Sequence, residues 1–228
     1  MSQTSNAVRA SDRGPTLTEV ADRLLRGPLR LIESDPDWRQ ASVAAVFRAG
    51  EQGTELLFIQ RADHPDDPWS GQIGFPGGRL EDSDEDGRAT AQRETLEEVG
   101  LDLSKLEGVR YLGPLDQVQA RTRRALLSMV ISPHAFILDT PSSPAPPALT
   151  LNYEVASALW VPLSQLASPD LRVWHLSERN RTPYRFRALD LGLSTPLWGI
   201  THRMTLEILG RLGMVDDVDH LTLPQLKP

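Results

Sequence analysis

Arg93-Glu94-Thr95-Leu96-Glu97-Glu98-Val99-Gly100-Leu101 is the stretch whose reading decides the rest of the chain. It is built from helix formers and stops at a glycine, the residue best suited to a left-handed C-terminal cap. On a helix, residues three and four apart share a face, so Glu94, Glu97 and Glu98 are expected to converge. Like charges at that spacing repel and weaken a bare helix. A divalent cation relieves the repulsion directly; a solvated acidic face is the other reading of the same run. Oxygen donors without cysteine, and without histidine in the segment, suit Mg²⁺ or Mn²⁺ better than zinc. Mg²⁺ commonly completes its shell with phosphate oxygens, which points to phosphate chemistry.

Upstream, Phe75-Pro76-Gly77-Gly78 supplies two consecutive residues without Cβ, where backbone can approach a ligand or ion closely. The acidic run Glu81-Asp82-Ser83-Asp84-Glu85-Asp86 then leads into a helix predicted over 88–99, whose positive N-terminal end it complements. Nearer the start, Leu17, Val20, Ala21, Leu24 and Leu25 recur at helical spacing, with Thr16 or Thr18 as cap and Gly27-Pro28 as terminator. Residues 41–47 and 56–59 read as strands joined by a tight glycine-bearing turn. Residues 64–70 read as a proline-bearing loop, and 72–75 as a short extended piece. Further strands are predicted at 109–112, 126–131, 135–138 and 156–161, an exposed proline-rich loop at 139–150, and a last helix over 197–212. With neither repeat nor linker, this is one layered α/β domain. The expected organisation is a disordered tail over 1–15, an N-terminal helical extension over 16–38, the domain over 39–216, and a C-terminal tail over 217–228.

Composition narrows the function classes. A formal net charge of −7 argues against a surface built to neutralise nucleic-acid phosphates. Cysteine is absent, which excludes disulfides, thiolate metal sites and cysteine nucleophiles, including diphosphate isomerases that need one. Residues 1–14 are polar and lack the apolar centre of an export signal. The longest apolar runs, such as 125–131, stop far short of the roughly 20 residues that span a bilayer. The expectation is a cytoplasmic protein acting on a small molecule, with neither nucleic acid nor membrane as partner; a homodimer stays open.

Together, the glycines and the acidic helix resemble the Nudix box. That signature runs Gly, five residues, Glu, seven residues, Arg-Glu, an apolar residue, any residue, Glu-Glu, any residue, Gly, apolar. Gly78, Glu85, Arg93, Glu94, Glu97, Glu98, Gly100 and Leu101 match it. Two departures stand out: six residues separate Gly78 from Glu85, which brings Asp84 forward as a substitute, and Thr95 sits where an apolar residue is usual. The resemblance implies an α/β fold, a Nudix-type α/β/α sandwich with a mixed β-sheet. It also implies Mg²⁺- or Mn²⁺-dependent hydrolysis of the diphosphate linkage in a nucleoside diphosphate derivative. By resemblance, Glu94 and Glu98 look like the principal metal ligands, Glu97 like a further ligand or the base, and Gly78 like a carbonyl ligand. Arg93 looks like the residue that orients these carboxylates. Many members recruit an acid from outside the box, and Glu154 is the candidate here.

The flanking residues are similar to the coenzyme A pyrophosphatase branch, with matches at Arg61, Ala62, Gly71, Phe75, Pro76, Gly77 and Gly78. The late Leu197-Trp198-Gly199-Ile200-Thr201 also looks like that branch. Against it, Ile59 replaces a threonine, the segment from Arg61 to Gly71 is one residue longer, and Asp67 lies near where a second arginine belongs. The resemblance implies coenzyme A or acyl-CoA as substrate, giving 4′-phosphopantetheine and adenosine 3′,5′-bisphosphate. ADP-ribose or another nucleotide diphosphate, and a non-catalytic nucleotide-sensing module, are the alternatives. Arg121, Arg123 and Arg124 form the densest basic patch, and guanidinium groups suit phosphate oxygens. Trp69 is the candidate to stack on a base.

Overall fold

Two neighbouring strands set the architecture. Strand β1 (Arg39–Gly50) sends Ala45 and Phe47 to one apolar core and Ala44 and Val46 to another. Its hairpin partner β2 (Gly53–Arg61) divides Leu56 and Phe58 from Leu57 and Ile59 in the same way. Strands buried on both faces read as continuous apolar runs rather than alternating ones, and helices must cover each face. The computed structural model describes residues 14–65, 67, 69–121, 126–139, 147–179, 182–216 and 225–226.

On one face lies α2 (Gly87–Val99), contributing Ala91 and Val99. On the other lie α1 (Leu17–Leu24), α3 (Leu163–Ala167) and α4 (Gly199–Arg211), contributing Val20, Leu24, Leu163, Leu166, Met204 and Ile208. This is the expected α/β/α sandwich. The sheet between them is mixed. The β1–β2 pair is antiparallel, with Phe47 opposite Leu56. β1 runs parallel to β7 (Leu126–Leu138), with Ala45 opposite Ala135. Short β3 (Ile73–Gly74) pairs with β2, and β4 (Gly77–Arg79) pairs with β1. β5 (Val109–Pro114) and β6 (Val118–Arg121) pair with β7, while β8 (Val155–Pro162) pairs with β2. No helix among the described residues is long and apolar enough to cross a membrane.

The N-terminal helix is locally well specified. Thr16 accepts from the Glu19 N–H while the Glu19 carboxylate accepts from the Thr16 N–H, a reciprocal capping box. Val20 and Leu24 are fully buried against the sheet layer, so α1 shares the core of the domain it precedes. Arg211 clasps this end of the chain, donating to the Arg26 and Pro28 carbonyls at 3.0 Å each and pairing with Asp116. Thr16→Ala is expected to cost about 1 kcal/mol, read as a lower midpoint in urea denaturation with an unchanged slope.

Two features differ from the sequence expectation. The strands expected at 126–131 and 135–138 are one strand, continuous through Pro133. Proline lacks a donor, but the Pro133 carbonyl still accepts from the Leu115 N–H at 2.8 Å and the pairing with β1 carries on. A hairpin of β9 (Arg172–Arg179) and β10 (Thr182–Leu189), joined by β11 (Gln225–Leu226), forms a second small sheet that was not expected. Its strands mix arginines with aromatics and carry no apolar run, so neither core-strand pattern announces them.

Candidate active site

Helix α2 is held at both ends by its own sequence. Asp86 caps it, accepting from the Ala89 N–H at 2.8 Å, and Gly100 closes it in the left-handed region at φ +71°. Thr95 is completely buried, and its hydroxyl donates to the Ala91 carbonyl at 2.6 Å. That bond satisfies the polar atom locally, which is how a threonine occupies a position where an apolar residue is usual.

The inward face of the helix carries Glu98, only 2% exposed. One carboxylate oxygen accepts from the Gly77 N–H at 2.9 Å, and the other lies 3.7 Å from the Arg61 guanidinium. Burial pushes its pKa up to about 8; the Gly77 N–H and Arg61 oppose the shift, and the nearby charges of Glu94 and Glu154 add to it. Glu94 is also raised, again by burial first, with Arg93 opposing and Glu97 and Glu154 reinforcing. Glu94, Glu98 and Glu154 are thus one electrostatically coupled set. Glu154 reaches it because the segment over 150–152 is pinned to the end of α2: Thr150 N–H donates to the Val99 carbonyl and Asn152 N–H to the Glu98 carbonyl.

The double glycine is a fitting of β4 against α2. A Cβ at Gly77 would run into the Ser42 carbonyl and Val43, and one at Gly78 would run into the Glu94 carboxylate. The Gly78 backbone therefore lies directly against a carboxylate of the box, the close approach expected from its missing side chain.

Arg93 is the hub. It grips Asp84 with two parallel bonds of 3.0 Å, bonds Glu94 at 3.0 Å and Glu97 at 3.4 Å, and donates to the Arg79 carbonyl at 3.1 Å. The Asp84 side chain is 5% exposed, and the Arg93 bond takes its pKa down to about 2 against the opposing effect of burial. The motif match at Glu85 is corrected by this geometry: Glu85 is exposed, and Asp84, separated from Gly78 by five residues, pairs with the arginine. One guanidinium thus touches Asp84, Glu94 and Glu97 together.

Convergence of the three box glutamates is partial. Glu97 lies at the rim with its side chain 53% exposed, a helix step of about 100° away from Glu98. Among the described residues no three His, Asp or Glu side chains close into a ready cage. The donor set nonetheless fits a hard divalent ion: it is all oxygen, and Glu94, Glu98 and Glu154 repel one another in a half-buried setting. Glu94 and Glu98, with the Gly78 carbonyl, are the groups that would hold it.

The candidate substrate residues fare differently. Arg61 is bound to Asp67 at 2.8 Å as well as facing Glu98, so its charge is already met from two sides. Asp67 also accepts from the Trp69 N–H at 2.9 Å, and Trp69 is 38% exposed on the same loop. The sequence marked Asp67 only as a missing arginine; its ion pair six residues from Arg61 lacks any spacing signal in an irregular loop. Arg121 ends β6, its side chain lies outside the described residues, and Arg123 and Arg124 lie outside them entirely.

Residues 38–179 match the family model described as NUDIX domain. An uncharacterized protein of Schizosaccharomyces pombe is 40% identical over 117 residues, 50% of this chain and 34% of that protein. Nudix hydrolase 15, mitochondrial, of Arabidopsis thaliana is 33% identical over 86 residues, 36% of this chain and 30% of that protein. The uncharacterized Nudix hydrolase NudL of Escherichia coli is 40% identical over 81 residues, 35% of this chain and 41% of that protein. The matched stretches thus span less than half the length of these relatives.

Proposed function

The chain belongs to the Nudix domain family, and on that premise we propose that it is a divalent-metal-dependent hydrolase of the diphosphate linkage in nucleoside diphosphate derivatives. The observation that carries this reading is the coupled Glu94–Glu98–Glu154 set beside the Gly77-Gly78 bend. A bound Mg²⁺ or Mn²⁺ would neutralise phosphate oxygens and lower the pKa of water. Arg93 holds the carboxylates in place through Asp84 and Glu94. Water attacks one phosphorus, the bridging P–O bond breaks, and a glutamate accepts the water proton. Two phosphate monoesters leave.

Glu154 suits the base role, since it is coupled to both inner carboxylates, while Glu97 is exposed and shared with Arg93. Glu154→Gln is expected to lower kcat roughly 100-fold or more, and Glu97→Gln by less than about 10-fold. Steady-state rates across pH check this; the reverse ranking would move the base to Glu97.

Coenzyme A or acyl-CoA is the first substrate we propose, on Arg61, Gly71 and the Phe75-Pro76-Gly77-Gly78 segment. The Arg61–Asp67 pair favours the second reading, ADP-ribose or another nucleotide diphosphate, because it leaves less free positive charge for an additional phosphate. Mass-spectrometric product analysis over a nucleotide panel, with Mg²⁺ and Mn²⁺, separates them. Coenzyme A would give 4′-phosphopantetheine and adenosine 3′,5′-bisphosphate; tight binding without product from any diphosphate would overturn the hydrolase reading in favour of a nucleotide sensor.

A further inference from the structure

The β9–β10 hairpin closes over α4 and leaves a cavity of about 90 Å³ on the face of the sheet opposite α2. Leucine, valine and alanine side chains such as Leu166, Leu206 and Val215 give it apolar walls, and Arg172, Trp174, Arg187 and His202 also line it. Cross-strand pairing sets this arrangement: Arg187 stands opposite Trp174, and Leu189 opposite Arg172, so both arginines and the indole share one face of the hairpin. The Arg187 guanidinium lies 4.9 Å from the Trp174 ring centroid.

What singles out the cavity is its unmatched donors. Among the described residues neither Arg172 nor Arg187 has a carboxylate within ion-pair distance, and the buried Nε of Arg187 has no acceptor. Asp190, the acid nearest Arg187 in sequence, accepts instead from the Gly192 N–H. His202 is 4% exposed and its ring has no hydrogen-bond partner among the described residues. Burial, reinforced by the two arginine charges, takes its pKa down to about 4, so at neutral pH it is an uncharged ring with one N–H to donate. A buried guanidinium Nε that finds no acceptor among the described residues, and a buried imidazole beside it, are a liability in a structural core. Beside a second guanidinium they are an asset around an oxyanion.

We propose that this cavity is a second, non-catalytic binding site for a phosphate group, held by Arg172 and Arg187, with His202 donating from α4 and Trp174 at the mouth. Free inorganic phosphate and the phosphate of a nucleoside monophosphate share this chemistry. Trp174 is 41% exposed, and the Arg185 and Arg187 guanidiniums lie 4.5 and 4.9 Å from its ring centroid, so a base would have to reach the indole beside them.

The test is calorimetric titration of the full chain in EDTA at pH 7, with inorganic phosphate and with adenosine monophosphate, each against chloride at matched ionic strength. EDTA silences the box, so this site is read alone. One saturable site is expected, weakened roughly 10- to 100-fold by Arg172→Gln and by Arg187→Gln, and retained by Glu98→Gln. Tighter binding of adenosine monophosphate that Trp174→Phe weakens assigns the nucleotide; equal binding of the two ligands assigns free phosphate. No saturable heat, binding untouched by both arginine variants, or binding lost with Glu98→Gln would each overturn the proposal. Among the described residues Arg172 stacks on no ring, so its variant stands independently of the Arg187–Trp174 contact. Because two guanidiniums without a carboxylate partner among the described residues crowd the cavity, Arg172→Gln should leave the ligand-free melting temperature unchanged or raised. A clear fall would mean the arginine holds the hairpin and would count against the site.

Discussion

Glu98→Gln is expected to lower metal-supported hydrolysis more than roughly 100-fold, beyond the loss caused by removing a mere supporting partner of a metal ligand, while the fold stays intact. The amide is the same size, and its oxygen can still accept from the Gly77 N–H, so the β4–α2 junction keeps its bond. What disappears is a carboxylate coupled to Glu94 and Glu154. A structural readout separates this from misfolding. Glu98 has its pKa raised to about 8 in the fold, against about 4.5 for an ordinary glutamate, so the folded state favours the protonated acid. Its stabilising share is fully present below pH 4.5 and is lost as pH rises through 8. Glutamine does not titrate. In EDTA, the variant should therefore melt above the parent at pH 8, and the gap should close toward pH 5. Near-parent rates, or a gap that does not move with pH, would remove Glu98 from its assigned place.

The legibility of this site in the sequence has a physical pattern. Glycine positions and helix periodicity are local, and they placed Gly78, the α2 face and the Gly100 cap directly. Periodicity alone also overstated the cluster: it groups Glu97 with Glu98, whereas the packing of α2 on the sheet turns Glu98 inward and leaves Glu97 outside with Arg93. The partner of Arg93 was ambiguous for the same reason. A one-residue difference in an acidic run changes nothing in local chemistry, and only the bend between β4 and α2 selects Asp84 over Glu85. The β9–β10 hairpin was illegible because its strands face neither core with an apolar run. Its arginines and Trp174 make sense as a set only once cross-strand register brings them together.

Arg93→Ala is expected to destabilise the protein by about 3 kcal/mol, the lower end of what breaking one side of a buried ion pair costs, and to weaken metal-supported turnover with it. The arginine side chain is 22% exposed, while Asp84 and Glu94 are 5% and 15% exposed, so its loss strands two carboxylates away from water. Lysine is not expected to rescue. A point charge on a flexible stem cannot make both bonds to Asp84 and still reach Glu94 and the Arg79 carbonyl. Acid titration gives the fingerprint. With its pKa taken down to about 2 by the Arg93 bond, Asp84 contributes stability that is present above its ordinary value near 4 and lost as pH falls through 2. Urea denaturation of parent and Arg93→Ala should therefore differ most at pH 7 and draw together from pH 4 downward. If Arg93→Lys matched the parent in both stability and rate, paired guanidinium geometry would be irrelevant and a single positive charge would be enough to hold the box together.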